Sequence, residues 1–114
     1  MSVEIWHNPR CSKSRQTLAL IEDQGIAPKV RLYLTDSPSI DELRKVIDLL
    51  GIAPFDLIRR GEQAFRDANL SKDDPDDKLI AAMAQFPKLI ERPIVITGGK
   101  AALGRPPENV LDIL

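Results

Sequence analysis

Three things are scarce in this chain, and each scarcity removes a class of protein: cysteine, long apolar runs and net charge. The single cysteine, Cys11, cannot close an internal disulfide, which excludes a disulfide-built scaffold and suits a reducing compartment. Any redox cycle through it needs an outside thiol. No apolar run approaches the roughly 18 residues that a membrane-spanning helix needs. The first six residues lack the charged and apolar regions of a signal peptide, so a cytoplasmic location is expected. Sixteen basic residues against 17 acidic ones leave a formal charge of −1, so no global field favours nucleic acid or an anionic membrane. Any basic function must be local. Repeats and low-complexity segments are also missing.

What is present suffices for one core. Of the 114 residues, 43% are hydrophobic and 29% charged, enough apolar surface to offset chain entropy without staples. A single domain over residues 1–114 is expected.

Ser2 to Trp6, carrying Val3 and Ile5, reads as a short strand, and the polar run His7-Asn8-Pro9-Arg10-Cys11-Ser12-Lys13-Ser14-Arg15 follows at once. A helix then presents Leu18 and Ile21, with Gly25 where a left-handed cap belongs. Val30 to Leu34 alternates and favours β structure, predicting a second strand parallel to the first. Ser39 and Glu42 form a capping box ahead of Leu43, Val46, Ile47 and Leu50, with Gly51 as the stop. Pro54 can open a short helix through Arg60, and Asp74-Pro75 another covering Leu79, Ile80 and Met83, ended by Pro87. Pro93 to Ile96 and Lys100 to Leu103 flank Gly98-Gly99, the pattern of a β-hairpin. Pro107 can begin a last helix with Val110, Leu111 and Leu114 on one side. This order implies an α/β or α+β protein with helices packed on a mixed sheet.

The loop around Cys11 carries the chemistry. An ordinary thiol, with a pKa near about 8.5, is only a few per cent thiolate at neutral pH, so a nucleophilic cysteine needs positive potential. A helix beginning near Ser12 puts Cys11 at its N-cap, where free N–H groups and the helix dipole favour an anion. Arg10, Lys13 and Arg15 add positive charge nearby, and Ser12 and Ser14 can donate hydroxyl hydrogen bonds to a thiolate or an oxyanion. A lowered thiol pKa is expected. The bland alternative makes Asn8-Pro9 a turn, Ser12 a cap and the basic side chains solvated. His7 is either a polar strand end or a residue that tunes the thiol.

The run His7-Asn8-Pro9-x-Cys11-x-x-Ser14-Arg15 after a first strand resembles the N-terminal signature of the ArsC family of glutaredoxin-linked arsenate reductases. The likeness continues through Tyr33-Leu34, Leu57-Ile58-Arg59, the segment from Pro87 to Val95, and Gly104-Arg105-Pro106 through Leu111. The resemblance implies a thioredoxin-like fold, its mixed sheet flanked by helices, with a helical insertion between the second strand and the C-terminal hairpin. It implies that Cys11 attacks arsenate, and that Arg59, Arg92 and Arg105 are the catalytic oxyanion ligands; Arg60 is the local alternative to Arg59. Forked, permanently charged guanidinium groups suit a tetrahedral dianion. His7, Asn8, Ser14 and Arg15 would tune the thiolate or bind the oxyanion, and the Arg92-Pro93 bond would be cis. Glutathione would be the co-substrate and glutaredoxin the partner, with no bound cofactor or metal, and the chain a monomer.

Rivals differ in their cysteines and arginines. A phosphatase-like loop needs an arginine six positions after the cysteine, where this chain has Thr17. Spx-type regulators use a C-x-x-C switch, and here Ser14 stands at the second position. A thioredoxin-fold thiol transferase, or a relative that reduces something other than arsenate, is the remaining alternative. Longer members of the family carry a further C-terminal segment, and many arsenate-resistance enzymes lack a residue like Arg10 after Pro9.

Overall fold

The computed structural model describes residues 2–114. The chain divides into two compact units, one formed by residues 2–36 and 92–114, the other by Ser37–Glu91.

The first unit holds a four-stranded mixed sheet. Strand β1 (Val3–Trp6) leads through the cysteine loop into helix α1 (Ser12–Asp23), and β2 (Lys29–Arg31) returns parallel to β1. Strands β3 (Ile94–Thr97) and β4 (Lys100–Leu103) form the hairpin, and the order across the sheet is β2-β1-β3-β4. Strand β3 runs antiparallel to β1 with Ile5 opposite Val95, and Val95 lies opposite Ala102 of β4. Directly opposed residues share a face. Val3, Ile5 and Val95 accordingly pack with Ile21 of α1 and Val110, flanked by Leu18, Ile26, Ala102 and Ile113. Burying one aliphatic side chain of this kind is worth about 1.5–3 kcal/mol. Gly98 and Gly99 both take positive φ, as a two-residue hairpin turn demands.

Two expectations for this unit need correction. The second strand ends at Arg31 instead of Leu34. Strand β1 stops at Trp6, and the chain turns where the Leu32 carbonyl accepts the N–H groups of both Thr35 and Asp36. Tyr33 is thereby buried while Val30, Leu32 and Leu34 remain exposed. The last segment, Pro107–Asp112, is a 3-10 helix. With about three residues per turn it aligns Pro107, Val110 and Ile113, instead of Val110 with Leu111 and Leu114. Val110 is fully buried, whereas Leu111 and Leu114 are exposed.

The second unit is the helical insertion expected between the second strand and the hairpin. Helix α2 (Ile40–Leu50) starts on the predicted capping box, with the Ser39 hydroxyl accepting the Glu42 N–H at 3.1 Å and the Glu42 carboxylate accepting the Ser39 N–H at 3.0 Å. It ends at Gly51 in the left-handed region. Leu43, Val46 and Ile47 are buried, as their spacing requires. Helix α4 (Asp76–Gln85) buries Leu79, Ile80 and Met83. A five-residue helix, α3 (Gln63–Asp67), was not foreseen. The segment opened by Pro54 is a 3-10 turn, Pro54–Leu57, and does not continue through Arg60. Ile58 instead becomes extended and pairs with Ile90, with the Arg59 N–H donating to the Leu89 carbonyl at 2.7 Å and the Glu91 N–H to the Leu57 carbonyl at 2.8 Å. Among the described residues no helix is long and apolar enough to cross a membrane.

Candidate active site

The cysteine loop is tied down at both ends. Beyond β1, the His7 N–H continues the ladder to the Arg31 carbonyl at 2.8 Å. The Asn8 carbonyl accepts the Cys11 N–H at 3.0 Å, its side-chain oxygen accepts the Arg10 N–H at 3.0 Å, and the Cys11 carbonyl receives the Arg15 N–H at 3.0 Å. Cys11 is therefore the N-cap of α1, with extended backbone angles, as the sequence predicts.

Ser14 organises the loop from inside the helix. It is fully buried, its Oγ accepts the Asn8 N–H at 3.0 Å, and that oxygen lies 2.6 Å from His7 Nδ1. Burial, and then the charge of Arg15, hold the His7 pKa below its ordinary value. This shift favours the neutral imidazole, and its tautomer sets which of Nδ1 and the Ser14 hydroxyl donates in their hydrogen bond. Arg15 itself donates through Nη1 to the Pro9 carbonyl at 2.9 Å.

The sulfur of Cys11 is partly buried, and that burial is the largest single influence on it, pushing the thiol pKa up. Three neighbours acting the other way outweigh it: the Ser14 N–H, the Arg92 guanidinium through both a hydrogen bond and its charge, and the Lys13 N–H. The net result lies below the ordinary thiol value. N–H groups that lower a thiol pKa do so by favouring the thiolate over the thiol. Of the basic residues near it in sequence, Lys13 works through its amide and Arg15 through His7 and Pro9. The formal charge that meets the sulfur is Arg92, brought in by the start of β3.

Arg92 and Arg105 form a matched pair. Arg105 Nε donates to the Arg92 carbonyl at 2.8 Å, the Gly104 N–H donates to the Pro93 carbonyl at 2.9 Å, and Asn109 Nδ2 binds the Arg105 carbonyl at 3.0 Å. The Arg92-Pro93 bond is cis, as expected, and the Arg105-Pro106 bond is cis as well, which was not anticipated. His7, Asn8, Cys11, Ser14, Arg15, Arg92, Pro93 and Arg105 thus all belong to the first unit.

Arg59 belongs to the helical unit. There its Nη1 donates to Glu91 at 2.7 Å and its Nε to Glu62 at 3.3 Å. Burial opposes the charged form, and the two carboxylates more than compensate, raising the Arg59 pKa. Sequence reasoning assigned no role to Glu91 or Glu62. Glu91 directly precedes Arg92, and its pairing with Arg59 depends on the Ile58–Ile90 bridge, which no local pattern announces. Among the described residues no group of three or more His, Cys, Asp or Glu could hold a metal ion.

A cysteine capping a helix, beside an arginine that precedes a cis-proline at the head of an inner strand, is set in a four-stranded mixed sheet of thioredoxin-like fold. The family is equally definite. A model of the ArsC family matches residues 6–113, and the chain belongs to that family. It is 47% identical over 116 residues to an arsenate reductase of Haemophilus influenzae, covering 100% of both chains. It is 46% identical to the protein YfgD of Escherichia coli, over 98% of this chain and 96% of that one. An arsenate reductase structure from Vibrio cholerae superposes with a TM-score of 0.96 at 54% identity, over 100% of this chain and 98% of the other.

Proposed function

We propose that the protein is an arsenate reductase of the glutathione- and glutaredoxin-dependent type. The observation that carries this reading is the meeting of Cys11 at the α1 N-terminus with the Arg92 guanidinium. The Cys11 thiolate attacks arsenic(V), forming an S–As bond as a hydroxide or water leaves. Arg92 and Arg105 hold the oxygens of the adduct and stabilise charge in the transition state. Glutathione thiolate then attacks the sulfur of Cys11. An S–S bond forms, the S–As electron pair passes to arsenic, and arsenite departs. Glutaredoxin reduces the mixed disulfide and returns Cys11 to the thiol, a step that this single-cysteine chain cannot perform alone. Arg59 assists after the first attack, its orientation held by Glu91 and Glu62. His7, Asn8, Ser14 and Arg15 keep the loop in shape around the thiolate.

On this reading the chain works as one ArsC-like domain, monomeric and cytoplasmic, with no bound cofactor. The test is arsenite production from arsenate with glutathione and glutaredoxin, comparing wild type with Cys11→Ser and Arg105→Ala. Loss of turnover in the first and a marked fall in kcat/KM in the second are expected. Turnover that survives Cys11→Ser would sink the mechanism. A reactive thiol with no arsenate turnover would point to the thiol transferase or Spx-like binding alternatives.

A further inference from the structure

At Gly104 packing leaves no room for a side chain. Gly25, Gly51, Gly61 and Gly99 have open space where a Cβ would stand. At Gly104 a Cβ would fall 2.7 Å from Pro93 Cγ and 3.1 Å from Thr17 Cγ2, and closer still to Thr17 Oγ1. Ordinary carbon contacts lie at about 3.5–4.0 Å. Gly104 does not need a left-handed φ, so the exclusion is steric.

Neither neighbour can yield easily. Thr17 is fully buried, its hydroxyl donates to the Lys13 carbonyl at 2.8 Å, and a β-branched residue within a helix has little χ1 freedom. Pro93 is buried and rigid, and its carbonyl is bound by the Gly104 N–H. Each of these two residues adjoins a support of the sulfur. Thr17 braces the turn that carries the Lys13 N–H, and Pro93 follows Arg92.

We infer that Gly104 is a positioning residue for the Cys11 site: its missing side chain lets the Gly104-Arg105 segment lie against Pro93 and Thr17, which sets Arg92 and the first turn of α1 against the sulfur. A methyl at this position displaces the β4 exit from Arg92, and the bond from Arg105 Nε to the Arg92 carbonyl passes that displacement to the guanidinium. The inference rests on Cys11 being the reactive group, and it holds whichever electrophile the thiol meets.

The experiment follows alkylation of Cys11 against pH in wild type, Gly104→Ala, Gly104→Ala combined with Thr17→Ala, and Val110→Ala. Val110→Ala weakens the core of the same unit without touching the site. Gly104→Ala should raise the apparent pKa by about one unit, a roughly tenfold loss of thiolate at neutral pH. The double variant, relieved of the Thr17 contacts but not of Pro93, should lie between it and wild type. Val110→Ala should titrate as wild type. The inference falls if Gly104→Ala titrates as wild type, or if Val110→Ala shifts as far. Should Gly104→Ala not fold, a double variant that titrates as wild type, or does not fold either, overturns it too. A wild-type titration at or above about 8.5 would instead remove the activated thiol itself, and with it the proposed function.

Discussion

Replacing Arg92 by alanine should raise the pKa of Cys11. The substitution removes both a side-chain hydrogen bond to the sulfur and the formal positive charge facing it, while the burial that pushes the thiol up stays in place. A hydrogen bond to a charged group is worth about 1.5–3 kcal/mol. Cys11 is only partly buried, so solvent screening favours the lower end of that range. At about 1.4 kcal/mol per unit, the apparent pKa should rise by about one unit. The Ser14 and Lys13 amides remain, so the rise is bounded. The thiolate fraction at neutral pH, and the alkylation rate with it, should fall roughly tenfold. Arg92→Lys keeps the charge but loses the fork, and should fall between the two. The assay is the rate of iodoacetamide modification against pH, with fluorescence of the single, buried Trp6 as a check on the fold. An unchanged titration in a folded Arg92→Ala variant would refute the assignment of Arg92 as the charge at the sulfur. Protection of wild-type Cys11 by arsenate or phosphate should weaken in the same variant.

Three further outcomes are expected. Cys11→Ser should abolish turnover yet fold at least as stably as wild type, because serine is a better N-cap than cysteine, by up to about 1 kcal/mol; thermal denaturation measures this. Ser14→Ala should cost about 1–3 kcal/mol in denaturant unfolding, since the buried Asn8 N–H loses its acceptor, and it should also raise the Cys11 titration by loosening the loop. Stability should depend on pH through Cys11 and His7, whose folded pKa values are both lowered. Cys11 contributes stability that is complete above its unfolded value of about 8.5 and lost as pH falls through its folded value, so the gap between wild type and Cys11→Ser should change over that window in chemical denaturation. His7 favours its neutral form when folded, so its contribution is complete above about 6.5 and lost as pH falls below that; a flat profile there would refute its burial as a neutral ring.

Most of the element order was legible in the sequence, and the misses share a cause. The α2 capping box, the Gly51 stop and the Gly98-Gly99 turn are local devices, in which backbone groups a few residues apart satisfy one another. The overlong second strand and the misread last helix were decided elsewhere. β2 stops at Arg31, whose carbonyl takes the last ladder bond from the His7 N–H, and the 3-10 turn after Pro107 buries Val110 in the sheet core. The extended path of Ile58 depends likewise on Ile90, far along the chain. Gly104 was noted only as part of a signature, because a steric requirement set by Thr17 and Pro93 has no trace in its own neighbourhood.

The sequence by itself determined that this protein has a single thiol and that a strand, a tight loop and a helix put that thiol at a helix N-cap. The loop and the cap need no more than local hydrogen bonds, from the Cys11 N–H to the Asn8 carbonyl and from the Arg15 N–H to the Cys11 carbonyl. Which cation meets the sulfur is set by contacts far apart in sequence. Arg10, Lys13 and Arg15 were the obvious candidates, yet the guanidinium that acts on Cys11 is that of Arg92, with Arg105 tied to its carbonyl. The physical reason is geometric: Arg10 precedes the helix, and Lys13 and Arg15, two positions apart on it, lie on different faces, whereas the register of β3 against β1 brings a distant arginine to the end of the strand from which the cysteine loop departs.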